Sequence, residues 1–94
     1  MPSYVPPLRD MRFVLHEVLD LADTLKKMPA HAEVDVETID AVLEEAGKFA
    51  SEVLAPLNAV GDAEGCKLDQ TTHEVKTATG FKDAYAKYVE GGWP

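Results

Sequence analysis

Ninety-four residues, 46% of them hydrophobic, with six glycines and six prolines, describe at most one globular domain near the lower size limit for a self-sufficient core. Nine basic against seventeen acidic residues, a formal net charge of −8, exclude a nucleic-acid binder, whose phosphate contacts need clustered cations. The same charge disfavours adsorption to anionic membranes, and no apolar run approaches the roughly 18–20 residues that cross a bilayer.

Residues 1–7, with Pro2, Pro6 and Pro7, read as an extended lead-in, because proline fixes φ and pushes its predecessor out of the α region. Asp10 is the expected N-cap of a first helix over about 10–28. Met11, Val14, Leu15, Val18, Leu19, Ala22, Leu25 and Met28 recur there at helical spacing, and Pro29 stops it. Phe13 falls on the opposite face, among Glu17, Asp20 and Lys27, either as a loose surface aromatic or as a residue that a second surface covers.

The linker PAHAEVD leads to Asp35, the next expected N-cap, with Glu37 in the first turn. A second helix over about 36–60 carries Val36, Ile39, Leu43, Ala46, Phe49, Ala50, Val53, Leu54 and Leu57 in one apolar arc, with Glu37, Asp40, Glu44 and Lys48 opposite. Glu44 and Lys48 stand four apart in the favourable order. Leu57 and Val60 continue the stripe beyond Pro56, which predicts a kinked helix that loses one backbone bond to Glu52.

The segment over about 66–78 predicts irregular structure or a short hairpin pairing Lys67-Leu68 with residues 73–76, marginal unless covered. Thr77 or Thr79 then caps a third helix over about 80–90, with Phe81, Ala84, Tyr85, Tyr88 and Val89 on its apolar face and Gly91 as a left-handed C-cap. The predicted fold class is all-α: three amphipathic helices and one small hairpin.

Catalytic chemistry is missing from this inventory. His16, His31 and His73 are dispersed, and His31, Glu33 and Asp35 alternate along the linker without enough ligands for zinc or calcium. Cys66 has no partner cysteine and no base of fixed geometry, and a chain without disulfides or a secretory leader is expected to be soluble and cytoplasmic. No catalytic, cofactor-binding or metal residue is assigned. Phe13, Tyr85, Tyr88 and Trp93 remain as candidate interface residues, since leaving several large aromatics uncovered is costly for a domain this small.

The strings PLRDMRFVLHEVLDL, IDAVLEEAGKFASEVLAPLNAVGDAEGCKL and GFKDAYAKYVEGGWP resemble the opening of bacterial acyl-CoA dehydrogenases, in particular the branch with an extra N-terminal segment. The offsets of Pro56, Gly61 and Gly65 in the second string are the more specific part. The resemblance implies residues 1–94 as a partial N-terminal helical domain: an extension and lead-in helix over 1–30, then the domain's first helices over 35–94. It further implies an enzyme that binds FAD, takes acyl-CoA to 2-enoyl-CoA and passes electrons to an electron-transferring flavoprotein. The family's glutamate base and most flavin contacts fall beyond Pro94, so no catalytic role transfers to Glu44 or Glu90. This chain is then expected to be inactive alone, with Gly91-Gly92-Trp93-Pro94 leading into further chain. The alternative is a stand-alone helical interaction module, paired as a homodimer.

Overall fold

The computed structural model describes residues 3–94, so the lead-in positions Met1 and Pro2 lie outside the described residues. Among these residues five α-helices form: α1 (Leu8–Arg12), α2 (Leu21–Lys26), α3 (Val36–Phe49), α4 (Ala55–Glu64) and α5 (Phe81–Glu90). Strands β1 (Lys67–Leu68) and β2 (Val75–Lys76) pair antiparallel, Lys67 opposite Lys76 and Leu68 opposite Val75. The class is therefore all-α with one small ribbon. The chain divides into two compact units, one up to Ala50 and one from Ser51 to Pro94.

In the first unit α1 begins earlier than its sequence suggests. Pro7 occupies the cap position, and Asp10 lies inside the first turn, where its charge still suits the helix dipole. The expected continuous helix over 10–28 is broken. A π-helical turn, Phe13–Val18, follows α1, with the Leu19 N–H donating to the Val14 carbonyl at 2.9 Å. Asp20 then takes a left-handed conformation, φ 47°, before α2 starts. Asp is among the few non-glycine residues that enter this region readily, because its short polar side chain bonds locally. Met28 is extended ahead of Pro29, as a residue before proline must be.

The linker is not extended. A 3-10 turn, Pro29–His31, carries it instead, and the Val34 N–H returns to the His31 carbonyl at 3.0 Å. Alternate side chains therefore do not share a side. Asp35 caps α3 as expected, accepting from both the backbone N–H and the hydroxyl of Thr38 at 2.8 Å. Ile39 and Gly47 are buried on α3, and Ala22 on α2. Gly47 lets the lead-in approach closely: a Cβ there would stand 3.1 Å from Pro6 Cγ.

A π-helical turn, Ala50–Leu54, begins at the last residue of the first unit and directly precedes α4 of the second, whose first turn holds Pro56. A widened turn is one way to separate the proline ring from the carbonyl four residues back. Helix α4 runs past Gly61 to Glu64. The bare backbone at Gly61 receives the Phe81 ring, since an added Cβ would meet its Cζ at 2.7 Å. Gly80, at φ 90°, caps α5 and lies against Leu57.

Two expected caps are displaced. Thr79 sends its backbone N–H and its hydroxyl to the Glu64 carboxylate, both at 2.8 Å, so it ties the end of α4 to the residue before α5. Gly91 is right-handed, and the left-handed position falls one residue later at Gly92, φ 80°. The hairpin loop is closed by Asp69, whose carboxylate accepts from the N–H groups of Thr71 and Thr72 at 2.8 and 3.1 Å. Ala78 and Ala84 are buried.

Candidate interaction surface

The side chains that the sequence reserved for a core are only partly covered. Among the described residues no large side chain is fully buried. On the first unit Met11, Val14, Val18 and Leu19 are exposed, and Phe13 is 60% exposed. Met11, Val14, Leu15 and Leu43, with Asp10 at the edge, line a groove of about 360 Å3 between α1 with its π turn and α3.

The remaining interface candidates lie on the second unit. Tyr85 is 69% exposed and stacks on Tyr88, ring centroids 6.4 Å apart. The Tyr88 hydroxyl donates to the Pro94 carbonyl, and the Trp93 N–H reaches the Tyr88 carbonyl at 3.4 Å. The Trp93 indole is half-buried over Gly91. Tyr85 and Tyr88 thus stack on α5 with Trp93 just beyond its end, whereas Phe13 belongs to the other unit.

A polar cluster escaped the sequence reading. Asp40 Oδ1 stands 2.7 Å from His16 Nε2 and 3.5 Å from Arg12 Nε, and Glu44 accepts from Arg12 Nη2 at 3.3 Å. Lys48 Nζ lies 3.1 Å from Glu45 Oε1. A signal was available: Arg12 and His16 stand four apart on one helical segment, Asp40 and Glu44 four apart on another. This cluster joins two segments of the first unit. Among the described residues no group of three or more His, Cys, Asp or Glu side chains is placed to hold a metal ion, and Cys66 is an exposed free thiol. No described helix is long and apolar enough to cross a membrane.

Three carboxylates have pKa values held below the ordinary range by hydrogen bonds. The Thr38 N–H and hydroxyl do this for Asp35, those of Thr79 for Glu64, and the Thr72 and Thr71 N–H groups for Asp69. All three are structural: two anchor helix ends and one closes the hairpin.

No family model matches the chain. A 3-methylmercaptopropionyl-CoA dehydrogenase of Ruegeria pomeroyi is 34% identical to it over 91 residues, which cover 97% of this chain. A butyryl-CoA dehydrogenase of Syntrophomonas wolfei is 33% identical over 91 residues, 96% of this chain. The chain is a segment of acyl-CoA dehydrogenase sequence. It spans about 15% of the length of each of these relatives.

Proposed function

We propose that these residues are the N-terminal part of a flavin-dependent acyl-CoA dehydrogenase, a structural piece without catalytic groups of its own. The observation that carries this reading is the match to two acyl-CoA dehydrogenases along nearly the whole chain. In the intact enzyme an acyl-CoA thioester would be desaturated between its α and β carbons, a base in the rest of the chain taking the α-proton, FAD supplying the two-electron oxidation, and an electron-transferring flavoprotein taking the electrons onward. Two grooves among the described residues are poorly suited to a flavin. The groove between α1 and α3 has an apolar lining with an acid at its edge, which supplies no donor for a diphosphate. The ribbon carries Lys67 and Lys76, but Asp69 and Glu74 share its groove. FAD is therefore held by the rest of the enzyme, and this segment supports the fold around it. Phe13, Tyr85, Tyr88 and Trp93 face that remainder or another subunit.

Two preparations test this. The 94-residue chain, purified alone, should carry no FAD and oxidise no acyl-CoA. The complete gene product should carry FAD that is bleached by butyryl-CoA or 3-methylmercaptopropionyl-CoA under anaerobic conditions. Stoichiometric flavin on the short chain, or a flavin-free complete product, contradicts the proposal.

A further inference from the structure

Every residue from Asp62 to Thr77 is exposed, so nothing among the described residues covers the ribbon of β1 and β2. Its charged cross-strand pairs oppose like with like. Lys67 faces Lys76, and the Asp69 N–H donates to the Glu74 carbonyl at 2.8 Å, which sets Asp69 opposite Glu74. Like charges directly opposite weaken a hairpin, and a two-stranded ribbon is marginal by itself. No ion pair among the described residues engages any of the four. Glu64 attracts both lysines from the end of α4, but its carboxylate is already bonded to Thr79. Between the charged pairs Leu68 and Val75 face each other, and Val75 is 64% exposed. The Asp69–Glu74 bond also fixes which backbone groups point away from the ribbon. Inward and outward groups alternate along an antiparallel pair, so Leu68 and Val75 turn their N–H and C=O groups to the two open edges.

We infer that the β2 edge pairs with the β2 edge of a second copy, antiparallel about a twofold axis at Val75. Each Val75 exchanges two backbone hydrogen bonds with the other, and each Glu74 stands opposite the other copy's Lys76. The edge reads acid, apolar, base, and that triplet is complementary to itself only in this register. A slip of two residues sets Glu74 on Glu74 or Lys76 on Lys76, and a parallel approach does both. A lysine on an edge strand ordinarily keeps neighbours away, whereas Glu74 two positions before it turns that repulsion into selection of one partner. The pairing also gives each Lys76 the counter-charge that its own ribbon denies it. Edge β1 carries the related order Lys67, Leu68, Asp69, but the Asp69 carboxylate is taken up by the Thr71 and Thr72 N–H groups, while that of Glu74 makes no hydrogen bond among the described residues. Strand addition at an open edge is a common mode of association, and an isologous contact is the usual form between identical chains.

The test uses the complete gene product with Cys66→Ser and Val75→Cys, and, as control, Cys66→Ser with Leu68→Cys. Residues that exchange both hydrogen bonds have Cα atoms about 5.5 Å apart, within reach of a disulfide. Mild oxidation should join two copies through position 75, identified by mass spectrometry of the digest, in higher yield than through position 68. Adding Glu74→Lys sets cation against cation and should lower that yield ~5-fold or more, and adding Lys76→Glu to it should restore the yield. A yield at position 75 no higher than at position 68 overturns the assignment. So does linkage of position 75 to any other segment, or a charge exchange that leaves the yield low. The readout is the joined peptide, so it stands or falls apart from the dehydrogenase reading and from any other contact between copies.

Discussion

His16 Nε2 lies 2.7 Å from Asp40 Oδ1, tying the π turn after α1 to the middle of α3. Asp40 also stands 3.5 Å from Arg12 Nε, so one carboxylate serves two bases four residues apart. Arg12 Nε and His16 Nδ1 are themselves buried without a hydrogen-bond partner, so the cluster rests on the His16 Nε2–Asp40 bond, the Arg12–Glu44 bond and the longer Arg12–Asp40 ion pair. Asp40→Ala should therefore cost about 1.5–3 kcal/mol, the range for hydrogen bonds to charged groups. Glu44, whose side chain is 61% exposed, should cost under ~1 kcal/mol on truncation, as exposed ion pairs do. Urea unfolding followed by circular dichroism separates the two. Equal losses would contradict the asymmetry.

Acid should weaken the segment through its hydrogen-bonded carboxylates. Asp35, Asp69 and Glu64 have folded pKa values below their ordinary 3.8, 3.8 and 4.5. For a depressed pKa the unfolded chain binds more protons, so stability falls as pH falls. Their contribution is complete above the ordinary values and is lost as pH drops below them through the folded values. Thermal melts at a series of pH values should show this loss below about pH 4.5. The triple variant Asp35→Asn, Glu64→Gln, Asp69→Asn should flatten it. An unchanged acid limb in that variant would assign the loss to other groups.

Gly80 combines two constraints, φ 90° and a Cβ position 2.7 Å from Leu57 Cδ2. Gly92 has only the first, at φ 80° with nothing nearby. Gly80→Ala should cost about 2–3 kcal/mol and Gly92→Ala about 1 kcal/mol, the difference being the forced displacement of Leu57. Chemical denaturation of each variant checks the order. A reversal would mean that the α4–α5 contact yields without cost.

Phe13 and Tyr85 face outward, so Phe13→Ser and Tyr85→Ser should change the stability of the isolated chain by no more than ~0.5 kcal/mol. In the complete enzyme the same substitutions should loosen FAD retention, measured as flavin lost on gel filtration. A large loss in the isolated chain would place these rings in its own core.

The Asp35 cap, the hairpin pairing of Lys67-Leu68 with Val75-Lys76, and the third helix were all legible, because each follows from local chemistry: an acid before an apolar period, paired short strands, and i, i+3, i+4 spacing. The breaks in the first helix were not. A stripe of period 3.6 carries no mark of a π turn, and Asp20 reads equally well as a solvated face residue. Thr79 was expected to cap α5 because only local partners are visible in sequence, whereas Glu64 lies fifteen residues away. For the same reason the Arg12–Asp40–His16 cluster stayed hidden within two polar faces. The spacing of Tyr85 and Tyr88 predicts a shared helix face, whereas the return of Trp93 over Gly91 depends on a backbone turn that no pattern of side chains marks.

The size of the native product tests the central claim most directly. An antibody raised against this chain, used on a denaturing blot of the source cells, should reveal a band of several hundred residues, in keeping with relatives of which the chain spans about 15%. A sole band near 10.3 kDa would contradict the account, and the exposed faces of α1 and α5 would then belong to a small independent protein.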